Sequence, residues 1–335
     1  MRFFASLKVT LAGMLLLACG AALSYGNPVD VSVWVLVLPL CLLALNLCAA
    51  IFTNPRINRQ PGLLVFHLGL LGIVVLAAIG RLTHLDAHIE LVQDQDFDPG
   101  LLLDRKAGPL HDGNIQQVVF RQGFYTVEYD TGMKRGLTHS HVLVPGPGGG
   151  AVENIVGDDR PLVLQGYRFY TTFNKGFAVL LTWAPEQGTP ITGAVNMPSY
   201  PLFDYKQDNT WHPPGGSEIK FWLQLQTGLT EKAPWVLDGR NAKGVLVVTT
   251  GGQRLELNPG QEVALPGGSL RYERLLTWMG YAVFYDPTIR WLFFVSIISV
   301  IGLGWHYWVK MGSRLLPSAE ELQPEGITNG AQRST

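Results

Sequence analysis

Residues 62–82 read GLLVFHLGLLGIVVLAAIGRL. About 19 apolar or small residues run from Gly62 to Arg81, enough for one helix to cross a ~30 Å hydrocarbon layer. His67, five residues in, is the only ionisable group before Arg81. An imidazole in lipid costs free energy unless it pairs, faces the bundle interior or binds something. His67 is therefore the first functional candidate in the chain.

Three further apolar spans flank this one. Ser6–Tyr25 is the first, with Arg2 and Lys8 at its start. Leu16-Leu17-Ala18-Cys19 imitates a lipoprotein cleavage box, and a processed lipoprotein or a cleaved signal are the competing readings. The stretch stays apolar through Ala22 and Leu23, whereas a signal core stops after roughly 7–15 residues, so an uncleaved membrane helix is expected. The link Gly26–Val31 leads to a span over Ser32–Phe52, and Thr53–Pro61 is a polar connection carrying Arg56 and Arg59. The fourth span covers Trp291–Val309 and ends in Lys310 and Arg314.

Lys and Arg in short loops mark the cytoplasmic side of a membrane protein. With the spans alternating, Arg2, Lys8, Arg56, Arg59, Lys310 and Arg314 all fall on one side. The expected organisation is three transmembrane helices in residues 1–81, an outer domain in 82–288, a fourth transmembrane helix in 289–311 and a cytoplasmic tail in 312–335. Both termini then lie in the cytoplasm, and the large domain lies outside, in the periplasm of a bacterial inner membrane protein or in an equivalent compartment. Arg81 and Arg290 stand at its two membrane junctions.

The outer segment reads as antiparallel β structure. Alternating or β-branched runs recur at Ile115–Phe120, Tyr125–Tyr129, His139–Val144, Leu162–Thr172, Phe177–Trp183, Ile219–Gln226, Val245–Thr250, Leu255–Leu257, Leu270–Leu275 and Tyr281–Tyr285. Gly- and Pro-rich clusters punctuate them, as at Pro145–Gly150 and Pro266–Gly268, which is the pattern of hairpin-linked strands. No useful helical period separates the strands, so the expected fold is a membrane α plus β protein, four helices with a sandwich-like β domain. The tail beyond Pro317 is polar and is expected to be disordered.

Composition narrows the function. With 47% hydrophobic and 15% charged residues the chain divides between membrane and water, and the spans predict membrane lipid as a contact. A formal net charge of −1 without a basic run argues against nucleic acid as a partner. The three cysteines, Cys19, Cys41 and Cys48, all lie in apolar spans, so the outer domain has neither a disulfide framework nor a cysteine metal site. There is no C-x-x-C-H, so the chain does not carry covalent haem as a c-type cytochrome does. G-x-S-x-G, a P-loop, H-E-x-x-H and paired C-x-x-C are also missing, and no catalytic residue is nominated.

A neutral imidazole has one spare nitrogen suited to an axial bond to haem iron, and His67 is placed for that role or for a hydrogen bond to a neighbouring helix. His306, four residues before Lys310, is expected at a similar depth, where two imidazoles would clamp one haem. Its neighbours Trp305, Tyr307 and Trp308 also fit an interfacial aromatic belt. His84 and His88 are one helical turn apart beyond the span, so a solvated helix extension competes with a metal or haem contact. His139 and His141 share one face of a strand. Arg81 and Arg290 suit haem propionates or anchoring at the lipid boundary.

Three spans, a large outer β domain and one closing span resemble the ResB (CcsB) family of cytochrome c biogenesis proteins. The residues carrying the resemblance are Ala5-Ser-Leu-Lys-Val-Thr-Leu11, His67-Leu-Gly-Leu-Leu-Gly72, Gln165-Gly-Tyr-Arg-Phe-Tyr-Thr-Thr172 with Gly176-Phe177, and Asp286-Pro287 followed by Gly302-Leu303-Gly304. The resemblance implies a non-catalytic or co-catalytic subunit of a cytochrome c synthase complex. Such a subunit pairs with a CcsA- or ResC-like multi-span protein and conveys non-covalent haem b outward for attachment to C-x-x-C-H of apocytochrome c. It further implies that His67 ligates haem iron within the membrane and that the partner supplies the second ligand. Two other readings stay open: a bis-His cytochrome b electron-transfer subunit using His67 and His306, and a membrane-anchored β-domain sensor.

Overall fold

The computed structural model describes residues 3–26, 31–226 and 228–315. Much of the link after the first span and the tail from 316 to 335 lie outside the described residues, so the expectation of a disordered tail falls there. The chain divides into two compact units, Met1–Leu82 with Pro287–Thr335, and Thr83–Asp286.

The first unit contains α1 (Leu7–Gly26), α2 (Trp34–Thr53), α3 (Pro55–Asn58), α4 (Pro61–Thr83) and α5 (Ile289–Leu315). By length and composition α1, α2, α4 and α5 are able to cross a membrane. Pro55 forces the preceding Asn54 out of the helical region, to φ −101° and ψ 107°, which ends α2. The Asn54 side chain then accepts from the Arg56 amide at 3.0 Å and starts α3.

Two antiparallel helix pairs result, and small residues set both. In α1/α2, a Cβ on Gly13 would stand 2.8 Å from Leu43 Cδ2, and one on Gly20 2.7 Å from the Val35 carbonyl. Asn46, 3% exposed, closes this pair. Its amide nitrogen donates to the carbonyls of Phe4 and Ser6, and its oxygen accepts from Thr10 Oγ1 at 2.9 Å. In α4/α5, a Cβ on Gly62 would meet the His306 amide at 2.6 Å, on Gly69 the Ser299 Cβ at 2.6 Å, and on Gly302 the Phe66 amide at 2.7 Å. Such backbone contact is the way apolar helices associate in lipid, where no hydrophobic force joins them. Ser299 Oγ donates to the Phe66 carbonyl at 3.2 Å, so the hydroxyl is satisfied across the seam.

The second unit is built from β1 (Leu85–Val92), β2 (Leu103–Ala107), β3 (Arg121–Asp130), β4 (Lys134–Pro145), β5 (Ala151–Gly157), β6 (Leu162–Leu164), β7 (Tyr167–Pro185) and β8 (Ile191–Asn196). It continues with β9 (Asp208–Trp211), β10 (Ile219–Leu225), β11 (Trp235–Asp238), β12 (Gly244–Thr250), β13 (Gln253–Leu257), β14 (Glu262–Leu265) and β15 (Gly268–Tyr285). A seven-stranded sheet runs β2-β1-β15-β7-β6, with β14 on β15 and β8 on β7. Two four-stranded sheets, β13-β12-β10-β9 and β11-β3-β4-β5, complete the unit.

The spine is the antiparallel pair β7 and β15, 19 and 18 residues long. One core, with Leu85, Ile89, Phe120, Phe169 and Tyr281, lies along one half of the spine. The other, with Tyr125, Trp183, Phe221 and Tyr272, lies along the other half. The register shifts between Met279 and Tyr281, where a Cβ on Gly280 would come within 2.8 Å of the Asn174 carbonyl, so only glycine fits this bulge. Three buried side chains tie the sheets in a closed ring. Gln122 Nε2 donates to Ser140 Oγ at 3.0 Å, the serine lies 2.6 Å from Tyr281 OH, and the tyrosine donates to Gln122 Oε1 at 2.7 Å.

Several strand boundaries differ from the sequence reading. Leu162–Thr172 is split by a two-residue turn at Gln165 and Gly166 (φ 51° and 85°), the geometry of a tight hairpin. Tyr167 to Thr172 instead joins Phe177–Trp183 as β7, and Leu270–Leu275 joins Tyr281–Tyr285 as β15. Ile115–Phe120 is not a strand: residues Asn114–Gln117 form a 3-10 turn that places Ile115 in the core.

Candidate functional site

His67 lies a turn and a half into α4, and its Nδ1 stands 2.8 Å from the Leu63 carbonyl. A carbonyl only accepts, so Nδ1 carries the proton and Nε2 carries the lone pair. Holding the other ring N–H on a carbonyl is the arrangement seen in metal-ligating histidines, since it fixes tautomer and ring orientation. Among the described residues nothing hydrogen-bonds Nε2. The ring is half-buried, with Phe66 edge-on at 5.3 Å.

The α4/α5 seam fixes which way this ring faces. Gly62, Val65, Phe66, Gly69 and Gly72 are the α4 positions that meet α5. At 3.6 residues per turn His67 sits about 165° round the helix from the centre of that stripe. The imidazole is therefore on the face of α4 that α5 leaves uncovered.

His306 is placed differently. Its backbone packs on Gly62, on the same α5 stripe as Ser299 and Gly302. The contacts Gly62–His306, Phe66–Gly302 and Gly69–Ser299 share one register, which sets Ile301 opposite His67. The two histidines are thus offset by five residues along α4, about 7.5 Å, and one lies on the seam while the other faces away. The equal depth expected from the sequence is not observed, because close glycine contacts, not distance from the charged helix ends, set the register. A single-chain bis-His clamp is not built.

The remaining candidates are dispersed. Leu85–Val92 is strand, so the helix extension expected for His84 and His88 is absent. Alternation puts the exposed His88 on a sheet face, 4.0 Å from Asp104. His139 and His141 do share one face of β4. The ring of His141 stacks on Phe124 at 4.1 Å, and its Nδ1 donates to Glu153 at 2.6 Å. Arg81 and Arg290 are exposed, at the C-terminal end of α4 and the start of α5. No group of three His, Cys, Asp or Glu side chains able to hold a metal occurs among the described residues.

Two polar side chains of the β unit escaped the sequence reading. His111 donates from Nδ1 to the Thr83 carbonyl at 3.0 Å and accepts at Nε2 from Tyr167 OH at 2.9 Å. Both nitrogens are in use, which makes it a structural histidine. Lys175 is 2% exposed, and burial, reinforced by Arg135 and opposed by Asp158, pushes its amine down to about 8. A single lysine in an otherwise polar-looking stretch, Thr171 to Lys175, gives no sequence signal of burial.

No family model matches the chain, and no curated protein does. Among solved structures it is similar to a Cytochrome c Heme Lyase CcmF, with 13% identity and a TM-score of 0.28, over 90% of this chain and 35% of that one. The chain therefore spans about a third of the length of that structure.

Proposed function

We propose that the protein is a haem-handling subunit of a membrane cytochrome c maturation system, in which His67 Nε2 holds haem iron while the porphyrin lies in the membrane. The observation that carries this reading is the His67–Leu63 hydrogen bond, which dedicates Nδ1 and leaves a lone pair at Nε2 inside an apolar helix. Haem is the cargo here, a non-covalent haem b, and iron ligation is the chemistry it brings.

The finer assignment, a ResB-like subunit that conveys haem outward to C-x-x-C-H of apocytochrome c, rests on the motifs quoted above. His67 faces away from α5, and the resemblance assigns the second axial ligand to another polypeptide, a CcsA- or ResC-like membrane protein. His306 is left out of the iron site, and Arg81 and Arg290 serve as candidates for the propionates. The β unit, on the periplasmic side in this reading, steers the apocytochrome rather than reacts with it. Its chemistry fits that part: it contains no cysteine to compete for the haem vinyl groups.

The test is His67→Ala in the native membrane, scored by haem staining of c-type cytochromes and by haem co-purifying with the protein. Both signals are expected to fall at least tenfold. Undiminished cytochrome maturation and haem content in that variant would remove His67 from the pathway.

A further inference from the structure

Strand β8, Ile191-Thr-Gly-Ala-Val-Asn196, pairs with β7 on one side, and among the described residues no strand pairs on the other. Proteins guard such edges with charge, proline, bulges or short length. Charged residues stand in the edge strands β2, β5, β9, β11, β13 and β14, and β6 is only three residues long. β8 has none of these devices. It holds no charge and no proline, its register with β7 is unbroken, and Ile191 to Ala194 are exposed.

The backbone along this edge is complementary to itself. Met197 N–H donates to the Phe177 carbonyl at 2.9 Å, and in an antiparallel ladder the direction of these groups alternates. Ile191, Gly193 and Val195 therefore turn their backbone groups to β7, while Thr192, Ala194 and Asn196 turn theirs outward. The Asn196 carbonyl shows this phase directly, because it accepts from the Asn209 side chain at 2.7 Å. With Asn196 so engaged, the edge offers the N–H groups of Thr192, Ala194 and Asn196. Its acceptors are the carbonyls of Thr192, Ala194 and, one alternation further, Pro190. Rotation about Gly193 sets Thr192 against Ala194, and Asn196 against Pro190. The residue that has no N–H then faces the one whose carbonyl is already taken. The same rotation lays Ile191, 41% exposed, against Val195, which packs on the core beneath. A strand edge that matches itself under a twofold is the form of an isologous interface. We propose that β8 pairs antiparallel with β8 of a second copy of this chain, with Gly193 on the twofold axis. The inference does not rest on His67 or on haem.

The experiment uses the full-length protein in native membranes, with Cys19, Cys41 and Cys48 replaced by alanine. Gly193 would face its own copy in a non-hydrogen-bonded pair, where Cα atoms stand about 4.5 Å apart, within disulfide reach. Nothing lies within 4 Å of a Cβ added there, so Gly193→Cys fits the strand. On mild oxidation Gly193→Cys is expected to give a disulfide-linked dimer. Thr192→Cys, whose counterpart lies on the diagonal, is expected to give about tenfold less. Ala194→Pro removes an outward N–H that β7 does not use, hence one hydrogen bond from each copy. It is expected to weaken self-association of the purified protein at least about tenfold in analytical ultracentrifugation. Ala194→Lys, which keeps every backbone group and adds the charge that other edges carry, is expected to weaken it as well. No cross-linked dimer with Gly193→Cys, equal yields from Gly193→Cys and Thr192→Cys, or unchanged self-association in both Ala194 variants overturns the proposal. Irradiation of Gly193→Cys labelled with benzophenone-maleimide reports any other neighbour. A product with a different polypeptide, and none with a second copy, also overturns it.

Discussion

The two helix pairs are built alike and differ in what their polar groups do. Both are antiparallel and both rely on glycines against a neighbouring backbone or side chain. In α1/α2, Asn46 directs its oxygen and its nitrogen to groups of the same pair, so nothing polar is left to offer outside. In α4/α5 the hydroxyl of Ser299 is likewise closed on the seam, while His67 closes only one of its two nitrogens. Burying a polar group in lipid is costly unless it is paired. Under the proposed function, the half-paired imidazole, on the face that α5 leaves uncovered, is the place for the ligand.

The β unit repeats the contrast. Gln122, Ser140 and Tyr281 form a ring in which every hydrogen bond is answered. Lys175 is buried to 2% exposure against a like charge and only a partial counter-charge.

These differences are open to breakage, starting with the largest effect. His67→Ala is expected to lower the haem held by the membrane complex at least tenfold, while Asn46→Leu leaves it unchanged. Haem loss of similar size in both would erase the distinction between the closed and open pairs.

Next in size is Lys175. Its ordinary value of 10.5 falls to about 8 in the folded protein, so below pH 8 the folded state carries a charge it solvates poorly. Between pH 8 and 10.5 the unfolded chain keeps the proton that the folded one gives up, so stability rises with pH there. Removing the amine in Lys175→Met is expected to stabilise the protein by about 3 kcal/mol below pH 8 and to flatten that rise. Chemical unfolding of both forms at several values up to pH 10 measures it, and parallel curves would contradict the burial argument.

Gly302→Val comes third. A side chain there meets the Phe66 backbone amide, which cannot rotate away, so about 1–3 kcal/mol is expected from overpacking. Helical circular dichroism on heating should show a lower midpoint. The smallest effect is the stability cost of Asn46→Leu, about 0.6–1.7 kcal/mol, the range for hydrogen bonds between membrane helices.

The four spans were legible because hydropathy over about 20 residues is a one-dimensional signal. The β class was legible from alternation and from glycine and proline breaks. The extents of β7 and β15 were not, since Asn174 and Lys175 break the apolar pattern inside one strand and the Gly280 bulge shifts it in the other. His67 stood out as an ionisable residue in a span. What its sequence position did not reveal was its direction: Gly62, Gly69 and Gly302 set the α4/α5 register, and only their contacts separate His67 from His306 in depth and in facing. The pairing of His111 with Tyr167 joins residues far apart in the chain and had no local signature.

The central claim is that the free nitrogen of His67 holds iron. The direct measurement is the absorption spectrum of the purified membrane complex containing His67→Gly, with and without added imidazole. The account predicts that haem is lost in the variant and that imidazole restores the wild-type haem bands. A variant spectrum identical to the wild type, unaffected by imidazole, would contradict it.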